Sequence, residues 1–496
     1  MEHYSVLNLP FDATPAEIRA AYFDAVRKYH PDAQNGGGDG VRFIEIQQAY
    51  EVLVDGKRRA AYDRLLPESV REASPTQVGV RYSRSTIHRS DEPQLIYALL
   101  DLSCTKKINP NDLPPAHVCV ILDRSSSMRG ERLDMVRANL IRLIRKLKSS
   151  DVLSIVTFSD RAEVLVPPVA LSDPARVESM IMGISAGGAT EIFQGLALGF
   201  EVFKRYAGRS NFLKHLILIT DGHTYGDEER CYEIAERAAV EGISIHALGI
   251  GHEWNDTFLD RLASLSGGNS VYITTAEDLV QFIEQNLQSL SVNYARKSEL
   301  VLELPEHVTL SYAFRIQPNV NPLEVNFPIQ LGPLEYGRNT SVILEFKINQ
   351  LRSIEPEQII ANGRVYFEVP SKTIPIERQF IEIKRPVRNA WAKEKTPTAI
   401  FTAISRLSLY RLQEKARKEA GAGDIKSSSL HLKHLASRFM AQGNQDLART
   451  ALMEADHLQK HQRFSDEGLK DIKYGTRSLF LLPDPELKNH DSMPKL

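Results

Sequence analysis

The chain has 496 residues, of which 42 % are hydrophobic and 25 % charged, with 61 Lys and Arg against 63 Asp and Glu. This composition excludes disorder or fibrous structure as the main state, and the length suggests about three domains at ~150 residues each. No apolar run approaches the roughly 18–20 residues of a membrane helix. The start at Met1-Glu2-His3-Tyr4 lacks a secretory signal's basic and apolar regions, and Cys104, Cys119 and Cys231 form neither a disulfide framework nor a CxxC zinc site. The expectation is a cytoplasmic protein with no membrane partner and no structural zinc.

Residues 1–66 read as short helices. Thr14-Pro15-Ala16-Glu17 is a capping box with proline at the first helical position. Ile18, Tyr22, Ala25 and Tyr29 then recur at helical spacing, and Phe43, Ile46, Tyr50 and Leu53 repeat the pattern after the break at Asn35-Gly36-Gly37-Gly38. The two helices are expected to be antiparallel partners. His30-Pro31-Asp32 would be exposed at their junction, and Arg19, Arg27 and Lys28 lie outside the apolar stripe.

That tripeptide closes a helix ending in Lys28-Tyr29. It is followed by Ala49-Tyr50-Glu51-Val52-Leu53 and by Lys57-Arg58-Arg59-Ala60-Ala61-Tyr62-Asp63, and Tyr4-Ser5-Val6-Leu7 precedes it. Over its whole length the unit resembles a J domain, a small all-α fold. The resemblance implies a DnaK-type heat-shock chaperone as partner and stimulation of its ATP hydrolysis. His30, Pro31 and Asp32 would carry the signal, and the basic side with Arg19, Arg27 and Lys28 would meet the acidic chaperone surface. Full-length J proteins continue with a Gly/Phe-rich linker and zinc repeats; neither is present here.

Residues 67–82 read as a linker with a candidate strand at Val78, Val80 and Tyr82, and 83–114 hold strands assigned to a later β-sandwich. From 115 to 292 apolar strands alternate with amphipathic helices: Val118–Leu122, Leu153–Phe158, Leu216–Thr220 and Ile243–Ile250 are continuous apolar runs. Such runs between helices predict a doubly wound, Rossmann-like parallel sheet covered on both faces. Ligands in such sheets sit at the carboxyl ends of the strands. Polar residues cluster at those ends: Asp123-Arg124-Ser125-Ser126-Ser127, Gly187-Gly188-Ala189-Thr190, and Thr220-Asp221-Gly222. These oxygen donors suit Mg²⁺, Mn²⁺ or Ca²⁺. Each could equally be a helix cap or turn residue.

The arrangement resembles a von Willebrand factor type A domain with the metal-ion-dependent adhesion site pattern D-x-S-x-S, a distant Thr and a distant Asp. The resemblance assigns Asp123, Ser125, Ser127, Thr190 and Asp221 to the metal. It further implies that an acidic side chain of a protein client completes the coordination. Two positions depart from the commonest pattern: Ser126 stands where glycine is frequent, and Glu191 where asparagine often follows the threonine. The competing class is a metal-dependent hydrolase of the haloacid-dehalogenase type with Asp123 as nucleophile. That chemistry needs an acid two residues on, and position 125 is serine.

Residues 296–385 alternate with period two, as in Leu300, Leu302 and Leu304, or Val342, Leu344, Phe346 and Ile348. An antiparallel β-sandwich is expected there, with the α/β domain inserted between its strands. Residues 390–482 read as a helical bundle, with stripes at Ala399–Tyr410, Leu432–Phe439 and Leu447–Leu458, and 483–496 as a polar tail. The net charge of −2 hides a basic stretch: residues 384–438 hold 13 Lys or Arg and 4 Asp or Glu. No nucleic-acid module accompanies it, so its charges are read as solvated helix faces.

The expected protein is therefore not an enzyme. It is a multidomain J-domain co-chaperone that binds a client through a divalent metal, with a scaffold of structural or absent metal as the alternative.

Overall fold

The computed structural model describes residues 3–7, 9–29, 40–66, 74–105, 115–170, 174–205, 212–222, 224, 226–280, 282, 293–352, 355–370, 372, 374–389 and 396–481. The N-terminal unit comprises α1 (His3–Val6), α2 (Pro15–Tyr29), α3 (Gly40–Val54) and α4 (Gly56–Leu65). The capping box forms reciprocally: the Thr14 N–H donates to Glu17 Oε2 at 2.7 Å, and the Glu17 N–H to Thr14 Oγ1 at 3.3 Å. Tyr22 and Tyr50 stack with centroids 3.9 Å apart, joining α2 to α3 over a core of Tyr4, Ile18, Ile46, Ala49 and Leu53.

The strands β1 (Thr76–Tyr82), β2 (Ile87–His88) and β3 (Gln94–Cys104) come next. The candidate strand at Val78, Val80 and Tyr82 forms within β1: residues 76–82 pair antiparallel with β3 from Thr76↔Cys104 to Tyr82↔Ala98, so the segment read as linker ends in a strand of the sandwich.

The α/β domain begins with β4 (Ala116–Asp123) and continues through α5 (Glu131–Lys146), β5 (Val152–Phe158), β6 (Ala162–Ala170), α6 (Pro174–Met182) and α7 (Ile192–Arg205). It ends with β7 (Leu213–Thr220), α8 (Glu228–Val240), β8 (Ile243–Ile250), α9 (Asp256–Leu265) and β9 (Ser270–Ile273). The sheet order is β6-β5-β4-β7-β8-β9, parallel except for the edge strand β6. One face packs on α5 and α6 through Leu133, Val136, Leu140 and Ile181, the other on α7, α8 and α9 through Leu196, Phe200, Ala235 and Leu259. Burial on both faces explains why β4, β5 and β8 are apolar almost throughout.

The sandwich is completed by β10 (Asn293–Glu303), β11 (Val308–Gln317), β12 (Asn321–Leu323), β13 (Ile329–Glu335), β14 (Thr340–Ile348), β15 (Glu357–Glu368) and β16 (Ile376–Arg388). Its sheets run β1-β3-β14-β11-β12 and β13-β10-β15-β16-β2. The chain thus leaves the sandwich after β3, builds the α/β domain, and returns at β10. Strand β14 is buried at eight of nine positions, without simple alternation. The reason is a helix on its outer face: Leu99, Phe314 and Ile343 meet Ile400, Ala403, Leu407 and Tyr410.

Those last residues belong to α10 (Thr398–Gly421), which is followed by α11 (Ile425–Ala441), α12 (Gln445–His461) and α13 (Asp466–Ser478). The basic stretch is only partly solvated. Arg417 pairs with Asp256 of α9, and Arg411 with buried Glu345 of β14. Those two charges stitch domains together, which corrects the reading of the whole stretch as solvated faces.

Three further polar contacts join the parts. Arg378 of β16 is buried and donates to Asp12 Oδ2 at 2.9 Å and to Glu17 Oε1 at 2.7 Å, fastening the N-terminal helices to the sandwich. Arg315 of β11 is buried and donates to the carbonyls of Gly267 (2.8 Å) and Gly268 (2.5 Å), fastening the α/β domain to the same sandwich. Lys473 and Arg477 of α13 pair with buried Asp256 and Asp260 of α9. Among the described residues no helix is long and apolar enough to cross a membrane.

Candidate functional site

The carboxyl end of the parallel sheet carries the cluster. Strand β4 ends in Asp123, β7 ends in Thr220-Asp221, and the loop between α6 and α7 passes over both. Backbone hydrogen bonds pin these loops: Ser126 N–H to Gly188 O at 3.0 Å, Gly187 N–H to Arg124 O at 2.7 Å, and Glu191 N–H to Ser159 O at 3.1 Å. Donor positions therefore rest on the sheet rather than on free loops.

Asp123 is fully buried. Its Oδ1 accepts from the Ser125 N–H at 2.8 Å and its Oδ2 from the Thr220 hydroxyl at 2.6 Å. Burial pushes its carboxyl up to about 6; those hydrogen bonds resist the rise, and the neighbouring Asp221 charge adds to it. The Ser125 and Ser127 hydroxyl oxygens are 3.0 Å apart, and Ser127 donates to Asp221 Oδ1 at 2.8 Å. Thr190 faces the same turn: a Cβ added at Gly222 would lie 3.1 Å from its Oγ1. The fold thus gathers Asp123, Ser125, Ser127, Thr190 and Asp221 at one strand-end cluster.

No group of three or more His, Cys, Asp or Glu suited to a metal occurs among the described residues. The cluster differs in kind, pairing two carboxylates with three hydroxyls. All-oxygen donors of this sort fit a hard divalent cation, with water or a ligand filling the positions left over.

The sequence places Thr220 among the strand-end polar residues without a role, and it gives no role to Arg132 or Glu253. Thr220 orients Asp123. Arg132, in the first turn of α5, donates to Asp221 Oδ2 at 2.5 Å, and Glu253 lies 3.6 Å from the same guanidinium nitrogen. A cation in a helix's first turn opposes the helix dipole, and that breach of the local rule was the available signal for Arg132. His252 is a loop residue whose carbonyl accepts from Lys470; His223 lies outside the described residues.

The second predicted site is only partly visible. His30, Pro31 and Asp32 lie outside the described residues, as does the side chain of Lys28. Arg19 and Arg27 are exposed on α2, with Arg27 3.8 Å from Asp24.

Family comparisons match three parts of the chain. Residues 2–63 match the DnaJ domain, 117–286 the von Willebrand factor type A domain, and 398–482 the Sll0103-like C-terminal alpha-helical domain. This is a J-domain protein with a type A domain. The J domain is similar to that of the chaperone protein DnaJ of Trichormus variabilis, 46 % identical over 69 residues, which are 14 % of this chain and 18 % of that one. The chain is also similar to the uncharacterized protein sll0103 of Synechocystis sp., 24 % identical over 339 residues, 64 % of this chain and 77 % of that one. It is also similar to the uncharacterized protein YfbK of Escherichia coli, 21 % identical, covering 57 % of this chain and half of that one. A solved von Willebrand factor type A structure from Catenulispora acidiphila superposes with a TM-score of 0.64 at 15 % identity, covering 81 % of this chain and 96 % of that chain. At that identity the likeness shows the fold: type A domain, sandwich and helices recur together.

Proposed function

We propose that this chain is a co-chaperone adaptor. Its J domain recruits a DnaK-type chaperone and stimulates ATP hydrolysis through His30, Pro31 and Asp32, with Arg19, Arg27 and Lys28 steering the encounter. Its type A domain holds a protein client through a divalent cation, Mg²⁺ or alternatively Mn²⁺ or Ca²⁺, at Asp123, Ser125, Ser127, Thr190 and Asp221. The observation that carries this reading is the oxygen cluster at the strand ends, borne on a domain tied through the sandwich to the J domain. A client carboxylate would fill the open position on the cation, and the chaperone would be delivered to whatever is held there.

The exposed face of α2 supports the first half. The Arg378 contact engages Asp12 and Glu17 at the start of the helix and leaves Arg19 and Arg27 in solvent. The test is single-turnover ATP hydrolysis by a DnaK-type chaperone with wild-type chain and with His30→Gln. Stimulation by the wild type and its loss in the variant, with unchanged circular dichroism, is the expected result. Equal stimulation by both sinks the co-chaperone reading.

A metal-free scaffold is the second reading, and the Arg132–Asp221 pair is the observation that favours it. The Arg132 guanidinium already neutralises one of the two carboxylates without any metal ion.

A further inference from the structure

Arg132 reaches the cluster from α5, and its surroundings are built to hold it there. Its Nη1 lies 2.5 Å from Asp221 Oδ2, and Asp221 itself is inaccessible to solvent. The loop after β8 leaves room for the guanidinium: Gly251 has φ +70°, and a Cβ there would stand 3.2 Å from Arg132 Nη2. That loop is itself held, since the Trp254 indole donates to Gly251 O at 2.8 Å and Lys470 of α13 donates to His252 O. The Asp221 carboxylate is therefore shared. Oδ1 takes the Ser127 hydroxyl and Oδ2 takes the guanidinium.

This changes the charge of the site. Asp123 and Asp221 alone would bring a divalent cation to formal neutrality. Counting the cation, Asp123, Asp221 and Arg132, the loaded cluster carries one net positive charge, and the exposed carboxylates of Asp160 and Glu191 on the loops beside Thr190 return a solvent-screened part of it. Glu253, 3.6 Å from the guanidinium but 67 % exposed, returns only a solvent-screened part of it. Arg124 pairs with Glu163 at 3.4 Å and adds little.

We propose that Arg132 is a built-in counter-ion of the adhesion site: it competes with the cation for Asp221, and it leaves the loaded site cationic, so that the site selects a carboxylate-bearing ligand. The inference rests on the reading that the cluster binds a divalent cation. The site gives up metal affinity and gains preference for an anion, because an incoming carboxylate then completes both the coordination and the charge balance. In a water-like medium the repulsion between a unit charge and a dication sharing one carboxylate corresponds to roughly tenfold in affinity.

The test is calorimetric titration of the full chain with Mg²⁺ at low ionic strength, for wild type, Arg132→Gln, Arg132→Lys and Glu253→Gln. Arg132→Gln is expected to bind Mg²⁺ roughly tenfold tighter. Arg132→Lys should stay within about threefold of wild type, and Glu253→Gln should bind about threefold more weakly. Acetate is the ligand probe: with Mn²⁺ in the site, broadening of the acetate carbon resonance should fall severalfold in Arg132→Gln. Equal Mg²⁺ affinity in wild type and Arg132→Gln overturns the proposal, as does a lysine variant that behaves like the glutamine one. Wild-type chain that takes up no Mg²⁺ fails the metal reading itself, a result distinct from unchanged affinity.

Discussion

Asp260 of α9 is buried, yet its carboxyl is held below the usual range: burial raises it, and Arg477 and Lys473 more than reverse that. A carboxylate so placed depends on its partners. Arg477→Ala leaves Asp260 short of a partner in a buried setting and is expected to cost about 3–5 kcal/mol in denaturant unfolding. Asp260→Asn, which leaves the buried Arg477 and Lys473 with Asp256 as their remaining carboxylate, should cost at least as much. Because the folded-state value is depressed, this pair's contribution is full above about pH 4 and is lost as pH falls further. Arg132 is the counterpart at the strand-end cluster, and its contact with Asp221 was not legible in sequence. The motif residues Asp123, Ser125 and Ser127 stand two apart and declare themselves, whereas Arg132 meets Asp221 only once β7 lies beside β4.

At the scale of elements, legibility followed the source of burial. The strands β4, β7 and β8 are apolar runs and could be read directly. The helix α13 could not, because its buried face includes Lys470, Lys473, Thr476 and Arg477, and hydrophobic periodicity is blind to such a face. The edge strand β6 was missed for the opposite reason, being largely exposed. Close packing sets its own constraint in α7. A Cβ at Gly195 would lie 2.7 Å from Phe158, and one at Gly199 2.5 Å from Ile121. Gly199→Ala should therefore destabilise the domain by about 1–3 kcal/mol despite alanine's better helix propensity, measurable as a lowered denaturation midpoint.

The parallel sheet also carries buried histidines on β4, β7 and β8. Burial lowers His117 and His246 to about 4, and His215 well below its ordinary value. The folded domain keeps these imidazoles neutral, while the unfolded chain protonates them near pH 6.5. Their contribution is present above that pH and is lost as pH falls toward 4. Asp123, raised to about 6, runs the other way and offsets one proton. Two net protons correspond to about 3 kcal/mol per pH unit below roughly pH 6. Thermal unfolding in chelator should show the type A transition falling steeply from pH 6.5 to 5. A flat profile would contradict the burial argument.

The whole molecule is a set of domains joined by buried polar contacts rather than by loose tethers. Arg378 binds the J domain to the sandwich, Arg315 binds the type A domain to it just past the end of α9, and α13 pairs with α9 itself. The multidomain architecture was legible because each part has its own periodicity. These joints were not, because their partners lie far apart in the chain: Arg378 and Asp12 are separated by 366 residues. Arg378→Glu should release the J domain, seen as an increased radius of gyration in small-angle scattering. Chaperone ATPase stimulation should persist, since Arg19 and Arg27 are already exposed.

In the proposed function a client is held through a cation by a chain that also engages a chaperone. Affinity capture from cell lysate in Mg²⁺, repeated in chelator and with Asp221→Ala, tests this most directly. The expected result is a set of proteins lost in both controls while the DnaK-type chaperone remains bound. The same proteins captured under all three conditions would contradict it, and the strand-end cluster would then not be the grip.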